Sequence, residues 1–289
     1  MVDTSVHASN YTFDPFARHQ FYHRVNQSLV RTAISQLDTC RPKGQSVCVA
    51  ELASGTGAVT ELILDELERV GRTGTVIGVE PSTEAIDIAR KRLQGRAVRF
   101  EQGDADHLAN LVSDADEVFF CNAIHLVPDK KDAMEKITRA LGDRGFFACN
   151  SSFFEGAYAP GSERFYHLWI RRALSWIRQN HPEVQRKGHH EKATAMTWLS
   201  AEDYTDLLER SGLHPVEIRQ EEALMPLRSW QDIGRYWLFI EGALPGVPVP
   251  IGADALEHAA AEAFAELNIT EVPRIWLQLV AQRSSENGL

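Results

Sequence analysis

The 289-residue sequence lacks the features that mark membrane, secreted and nucleic-acid-binding proteins. It contains no run of ~18 apolar residues of the kind that crosses a membrane, and its N-terminus has no basic region followed by an apolar one. Lys and Arg form no long cluster, and the formal net charge is −10, so the basic surface that nucleic acids require is missing. We expect a cytoplasmic protein that acts on a small molecule, without a membrane or nucleic-acid partner.

Cysteine is scarce, and the histidines follow no metal-binding spacing. The four cysteines form no Cys-x-x-Cys pair, and three of them, Cys48, Cys121 and Cys149, lie in apolar runs. This distribution predicts reduced thiols. His181, His189 and His190 lie too irregularly to indicate metal ligands, so we expect no metal site. A homo-oligomer is compatible with the composition.

Short apolar runs alternate with amphipathic stretches along much of the chain. The runs are nearly continuous in hydrophobicity, as in strands that are covered on both faces. Predicted helix starts are marked by capping residues. We predict an α/β fold: a Rossmann-like, doubly wound, mostly parallel seven-stranded sheet with helical lid insertions. The predicted strands are residues 46–52, 75–80, 97–100, 117–122, 145–150, 216–218 and 274–281, and the predicted caps are Ser82, Asp129 and Ser200 with Asp203.

Two further helices are predicted from apolar spacing. One lies between Phe16 and Leu37, and the other follows Asp129, with Met134, Ile137 and Leu141 inward and its end at Gly142. The predicted organisation is an N-terminal helical segment, a Rossmann-like core, a helical insert, and a C-terminal part of the core that contains a second helical insert. These parts are residues 1–45, 46–150, 151–199 and 200–289, with the second insert at 225–270.

A glycine loop follows the first predicted strand. Gly55 and Gly57 let the chain turn sharply and let a ligand approach the backbone. A dinucleotide loop would carry a third glycine, where this chain has Thr60, and Glu51 would repel a pyrophosphate. A carboxylate at that position instead suits the ammonium group of a methionine moiety.

Two acidic residues follow the next two predicted strands. Glu80 ends the second strand, where a carboxylate can accept the hydroxyls of a ribose. Asp104, in Gly103-Asp104, follows the third strand and can accept the amine of an adenine. These features indicate nucleoside binding, but dinucleotide sites share the ribose-binding carboxylate.

The segment from Ala123 to Asp129, Ala-Ile-His-Leu-Val-Pro-Asp, completes a set of four features. Together with the glycine loop, Glu80 and Gly103-Asp104, it resembles the class I S-adenosylmethionine-dependent methyltransferases, in the branch that modifies quinones, isoprenoids, polyketides and other small molecules. The resemblance covers about residues 46–150 and 200–220.

The resemblance implies S-adenosyl-L-methionine as the cofactor and methyl donor, and it assigns residues to each part of that molecule. Many relatives have glycine at the position of Ala53, and its methyl group should tighten the turn slightly. The implied contacts are Glu51, Ala53, Gly55 and Gly57 at the methionine end, Glu80 at the ribose, Asp104 and Ala105 at the adenine, and Asn122 beneath the sulfonium.

Methyl transfer is an in-line displacement that depends on alignment and on exclusion of water, so a general base is needed only if the acceptor must lose a proton. The candidate catalytic residues are Tyr22, His125, Glu155 and His167, which lies four positions after Glu163. Three of the four have an alternative interpretation. His125 can be a packing residue, and Tyr22 and the Glu163–His167 pair can be surface residues of helices.

We expect an enzyme that methylates carbon or oxygen of a small, apolar, aromatic or isoprenoid-type metabolite. The aromatic residues of the two inserts can line an acceptor pocket or form a core. A phosphate-bearing acceptor is also compatible with the basic residues Arg171, Arg172, Arg178, Arg186 and Lys187. The alternatives are an NAD-dependent oxidoreductase on a similar sheet, and a non-catalytic protein of this fold that binds S-adenosylmethionine.

Overall fold

A computed structural model describes residues 11–184 and 198–284 of the protein. The described residues contain seven strands, which match the predicted runs but are longer near the C-terminus. Arg186, Lys187, His189 and His190 lie outside the described residues. The strands are β1 Val47–Leu52, β2 Gly74–Glu80, β3 Val98–Gln102, β4 Ala115–Cys121, β5 Leu141–Ser151, β6 Leu213–Pro226 and β7 Glu271–Arg283.

The seven strands form one sheet in the order β3-β2-β1-β4-β5-β7-β6. Strands β1 to β5 are parallel to one another, and β7 runs antiparallel to β5. The order reverses between β1 and β4, which creates the crevice at the carboxyl ends of strands where doubly wound sheets bind ligands. The predicted mostly parallel α/β fold is confirmed.

Helices connect most of the strands, and the predicted caps are confirmed. Ser82 and Asp129 accept hydrogen bonds from the backbone of the helices that follow them, and Ser200 and Asp203 form a reciprocal capping box. The helices are α1 Asp14–Ala17, α2 Gln20–Cys40, α3 Ala58–Arg69, α4 Thr83–Arg92, α5 Leu108–Leu111, α6 Lys130–Ala140, α7 Glu163–Asn180, α8 Ala201–Arg210, α9 Leu227–Gly234, α10 Trp237–Ala243 and α11 Val249–Leu267.

Three predicted boundaries were wrong. The helix predicted from Phe16 to Leu37 is two helices, α1 and α2. Leu141 and Gly142 open β5 instead of ending α6, because the backbone of Leu141 is extended (φ −73°, ψ 139°). The strand predicted over residues 216–218 is the 14-residue β6. Its polar and half-exposed residues hid its length, since an edge strand needs little hydrophobicity.

The described residues divide into two compact units. The sheet unit comprises residues 23–155, 199–221 and 276–284. Its core lies between α2, α3 and the sheet and contains Leu29, Ile34, Val49, Ile63 and Phe119, each at most 1% exposed. Cys40, Cys48, Cys121 and Cys149 are all free thiols, as predicted.

The helical unit comprises residues 11–22, 156–184 with 198, and 222–275. Its core is aromatic: Phe165 stacks on Trp169, and Trp230 contacts both rings at a steep angle. The Trp169 indole donates a hydrogen bond to Leu256 O over 2.8 Å. Trp169 is 1% exposed, so this part of the aromatic insert is core. No helix among the described residues is long and apolar enough to span a membrane.

Candidate active site

The glycine loop lies at the carboxyl end of β1, within the sheet unit. Ala53, Gly55 and Gly57 all have left-handed backbones, with φ of 56°, 54° and 82°. A side chain at Gly57 would lie 3.2 Å from Ala89, so glycine there lets α3 approach α4 closely. A Cβ at Gly55 would meet no atom within 4 Å, so the space above the loop is open. A ligand can therefore contact the backbone at Gly55 directly.

Glu51 is a buried carboxylic acid beside this loop. Its side chain faces α3, where the Thr60 hydroxyl donates a hydrogen bond to Oε2, and the residue is 2% exposed. Burial raises the pKa of Glu51 to about 8, and the nearby Glu80 carboxylate also raises it, against the lowering effect of the Thr60 hydrogen bond. A cation at this position would stabilise the ionised form, so Glu51 is suited to an ammonium group.

Glu80 ends β2 and faces the glycine loop, as the sequence predicted. One of its oxygens accepts the Gly55 N–H over 2.9 Å, and the other accepts the Ser82 N–H over 3.0 Å. Burial raises its pKa, although the two backbone hydrogen bonds act in the opposite direction. Each carboxylate oxygen has two lone pairs, so the side chain can accept further hydrogen bonds from a pair of hydroxyls.

Asp104 follows β3 on an exposed turn next to Ala105. Its Oδ1 accepts the Asp106 N–H over 2.9 Å and lies 2.7 Å from His107 Nδ1. Partial burial would raise the pKa of Asp104, but the hydrogen bonds from His107 and Asp106 lower it on balance. Asp104 is therefore an ionised acceptor that the turn orients.

Asn122 directly follows β4 and has a left-handed backbone, with φ of 55°. Its side-chain amide is oriented by two internal contacts. Nδ2 donates to Asn26 Oδ1 over 3.0 Å, and Oδ1 accepts from Trp276 Nε1 over 2.9 Å. The Asn122 N–H donates to Asn150 O over 2.9 Å, which joins the ends of β4 and β5. The conformation of this residue is thus determined by three neighbours.

His125 lies in a short 3-10 helix, Ile124–Leu126, after Asn122. The residue is 5% exposed, and its ring stacks on Phe153 with centroids 4.2 Å apart. Nδ1 lies 3.3 Å from the Ser151 hydroxyl, which also accepts the Phe153 N–H over 3.0 Å. The stacking on Phe153 and the contact with Ser151 therefore fix the orientation of the ring.

The other candidate catalytic residues fall into different units. Glu155 is exposed in the sheet unit, and its N–H donates to Leu199 O over 2.9 Å. Tyr22 and His167 belong to the helical unit. Tyr22 is 6% exposed and packs against Phe16, so it is not a surface residue of its helix.

His167 and Glu163 lie on the same face of α7, as their spacing predicted. They border a groove of about 450 Å³ within the helical unit, which also contains apolar and cationic side chains. Arg171 and Arg178 line this groove, whereas Arg172 pairs with Glu266 instead. The apolar and aromatic side chains that line the groove are Tyr158, Tyr166, Ile170 and Leu174.

The sequence did not reveal several residues that shape the site. Thr60 was considered only as a missing glycine, yet its hydroxyl contacts Glu51. Asn26, Asn150 and Trp276 converge with Asn122 from other parts of the chain. For this cluster the sequence offered one signal: Asn26 is a polar residue in the otherwise apolar stripe of α2, and a buried amide needs hydrogen-bond partners.

Comparison with known proteins agrees with this geometry. A family model described as a methyltransferase domain matches residues 49–145. The chain is 30% identical over 99 residues to a demethylmenaquinone methyltransferase from Lactobacillus johnsonii, a match that covers 33% of this chain and 39% of that protein. The match thus spans well under half of the relative's length.

Two solved structures show the same fold. YcgJ from Bacillus subtilis has a TM-score of 0.53 at 15% identity, covering 91% of this chain and 100% of YcgJ. The CMeT domain of the citrinin polyketide synthase also has a TM-score of 0.53 at 15% identity, covering 94% of this chain and 55% of that one. The glycine loop, the sheet order and the family match therefore agree: residues 49–145 match a methyltransferase domain, and the chain has the fold of these solved structures.

Proposed function

We propose that this protein uses S-adenosyl-L-methionine to methylate carbon or oxygen of a small, apolar, aromatic or isoprenoid-type metabolite. The observation that carries the cofactor assignment is the pairing of the buried Glu51 carboxyl with the open space above Gly55. A buried carboxyl beside a backbone that a ligand can reach suits a zwitterionic amino acid moiety, because the ammonium group would pair with the ionised form of Glu51.

Under this proposal the residues act in sequence along the carboxyl edge of the sheet. Glu51 accepts the ammonium group, Ala53, Gly55 and Gly57 line the methionine moiety, and Glu80 accepts the ribose hydroxyls. Asp104 and Ala105 contact the adenine, and Asn122 lies beneath the sulfonium. Glu80 is already oriented for its role, because two backbone N–H groups hold its carboxylate.

The bound cofactor supplies an electrophilic methyl group. The protein's task is then to align the acceptor and to exclude water. His125 is the candidate that could take a proton from a hydroxyl acceptor, since its ring is held by Ser151 and Phe153. Tyr22, Glu155 and His167 stay predictions for contact with the acceptor.

Two kinds of observation support an apolar acceptor: the names of similar proteins and the side chains that line the groove. The relative from Lactobacillus johnsonii is named for a quinone substrate, and the neighbouring polyketide synthase domain is named a CMeT domain. The groove of the helical unit combines aromatic and aliphatic side chains with Arg171 and Arg178. A flat or branched apolar compound of small-molecule size suits such a surface, and the two arginines would favour one that carries an acidic group.

Calorimetric titration with S-adenosylhomocysteine tests the cofactor assignment, with NADH titrated in parallel. We expect a dissociation constant well below about 1 mM for S-adenosylhomocysteine and no binding of NADH. Glu51→Gln should weaken binding about tenfold or more, because it removes the partner of the ammonium group. Glu66→Gln is the matched control, since Glu66 is a buried carboxylate on α3 that pairs with Arg69 instead. NADH binding without S-adenosylhomocysteine binding would overturn the assignment.

The acceptor class is tested separately by incubation with S-adenosylmethionine and panels of quinones, phenols and isoprenoid acids, followed by mass spectrometry for one added methyl group. Methylation of apolar compounds alone is the expected result. A protein that binds S-adenosylhomocysteine tightly but methylates none of these classes would contradict the substrate proposal and favour a non-catalytic role.

A further inference from the structure

A buried polar network joins helix α2 to the strand ends of the proposed site. At its centre is Asn26, whose side chain is fully buried, at 0% exposed. Asn26 Oδ1 accepts hydrogen bonds from Asn122 Nδ2 and from Asn150 Nδ2, each over 3.0 Å. One oxygen of α2 therefore holds the amides at the carboxyl ends of both β4 and β5.

The same turns of α2 also make polar contacts with strands β6 and β7. Val25 O accepts a hydrogen bond from Gln278 Nε2 over 3.0 Å, and the Ser28 hydroxyl accepts one from Arg219 over 2.8 Å. These contacts fix the position of Asn26 along the sheet, so its oxygen cannot shift without breaking them. The network is thus a rigid link between α2 and four strands.

We propose that Asn26 is a positioning residue. It acts through Asn122 to hold residues 122–126, which include His125, in their conformation. After β4, the chain passes through Asn122, whose backbone is left-handed, and then forms the short 3-10 helix Ile124–Leu126. Asn can adopt the left-handed conformation, but at a cost that its surroundings must offset. The contacts from Asn26, Asn150 and Trp276 provide that compensation.

The position of the network argues against a purely structural role. Asn122 and Asn150 lie at the carboxyl ends of β4 and β5, the edge where this architecture binds ligands. A polar group in an apolar helix stripe lowers stability unless it is fully bonded, and leucine would serve packing alone. The inference rests on the proposed function, because the segment matters for catalysis only if the methyl donor binds beside it.

Two readouts test the proposal, one of them independent of any ligand. In Asn26→Leu, backbone amides of residues 122–127 should exchange hydrogen about tenfold faster, because the side-chain amides of Asn122 and Asn150 lose their shared acceptor. Affinity for S-adenosylhomocysteine should fall about tenfold. Asn26→Asp keeps an oxygen acceptor and should restore both values to within about threefold of wild type.

A matched control separates a local effect from general destabilisation. The Thr138 hydroxyl, on α6, lies 3.0 Å from Ser211 O and 2.9 Å from Met134 O, so Thr138→Val also removes partly buried hydrogen bonding. We expect it to lower the melting temperature without changing either readout. If Asn26→Leu does not fold, the comparison of Asn26→Asp with Asn26→Ser, whose shorter side chain cannot reach both amides, replaces it.

The outcomes distinguish this proposal from the proposed function. Unchanged exchange at residues 122–127 in Asn26→Leu, or faster exchange with wild-type affinity, overturns the role of Asn26. Wild-type protein that binds no S-adenosylhomocysteine overturns the proposed function, whereas the exchange experiment still decides whether Asn26 sets the segment. Equal effects of Thr138→Val on exchange and affinity would show that both readouts follow stability, and would also overturn the proposal.

Discussion

The Thr60 hydroxyl donates a hydrogen bond to the Glu51 carboxyl at the bottom of the glycine loop. This hydrogen bond partly offsets the burial of Glu51, but the pKa of the acid remains raised to about 8. Near neutral pH, Glu51 in the ligand-free protein is therefore mostly a neutral acid. A ligand that presents an ammonium group must displace a proton as it binds.

The first prediction is that the affinity for S-adenosylhomocysteine rises with pH. Below about pH 8, Glu51 has to ionise when the ligand binds. The affinity should therefore fall by up to about tenfold per pH unit below that pH, and it should level off above it. Titrations between about pH 6 and pH 9 measure this dependence. Calorimetry in buffers of different ionisation enthalpy should show up to about one proton released per ligand bound at neutral pH.

Glu51→Gln and Glu66→Gln provide the controls for this pH dependence. Glu51→Gln should bind weakly and with little dependence on pH, because the titrating group has been removed. Glu66→Gln should keep the wild-type profile, since Glu66 pairs with Arg69 away from the loop. A profile that does not change with pH in the wild type would contradict the assigned role of Glu51.

Thr60→Val tests the hydrogen bond itself. Valine has nearly the same shape, but it cannot donate to the carboxyl, so the ionised form of Glu51 loses a stabilising contact. The pKa of Glu51 should then rise further above 8, and the pH at which affinity levels off should shift upward with it. Titration of this variant over the same pH range measures the shift, and an unchanged profile would show that the Thr60 hydroxyl does not influence Glu51.

Ala53→Gly is predicted to stabilise the protein. Ala53 has φ of 56°, a left-handed backbone that glycine adopts without a Cβ penalty of about 1 kcal/mol. Part of that gain is lost because glycine also increases the conformational entropy of the unfolded chain. The free energy of unfolding in urea should therefore rise by less than about 1 kcal/mol.

Ala85→Gly is the matched control for this substitution. Ala85 lies inside α4, where glycine should lower stability by about 0.5–1 kcal/mol. Equal destabilisation by both substitutions would contradict strain at Ala53. Sequence alone predicted only a slightly tighter turn there.

The sequence predicted those parts of the molecule whose signals are local. The turn at Gly55 and Gly57, the acid at the end of β2 and the cap at Ser82 depend on residues within a few positions of one another. Asn26 contacts partners 96 and 124 positions away. No periodicity connects such residues, so the polar network became visible only once the strands were placed in space.

The environment of Glu117, in the middle of β4, is a second feature that local sequence signals did not reveal. Its apolar neighbours predicted a buried strand, and the residue is indeed 0% exposed, but neither carboxyl oxygen has a hydrogen-bond partner within residues 11–184 and 198–284. Burial, assisted by the charge of Asp116, raises its pKa well above the usual value. The folded protein therefore binds this proton more tightly than the unfolded chain does.

Replacing Glu117 with leucine should consequently stabilise the protein, and more so at high pH. Between the unfolded pKa of 4.5 and the raised folded value, unfolding releases the proton, so wild-type stability falls as pH rises. Glu117→Leu removes this dependence and the cost of an unbonded buried carboxyl, about 1–3 kcal/mol. Urea denaturation at mildly acidic and mildly alkaline pH measures both effects. Glu117→Gln, which cannot ionise but still buries an unbonded polar group, should lose the pH dependence without the full gain. If all three proteins show the same slope with pH, Glu117 is not the titrating group.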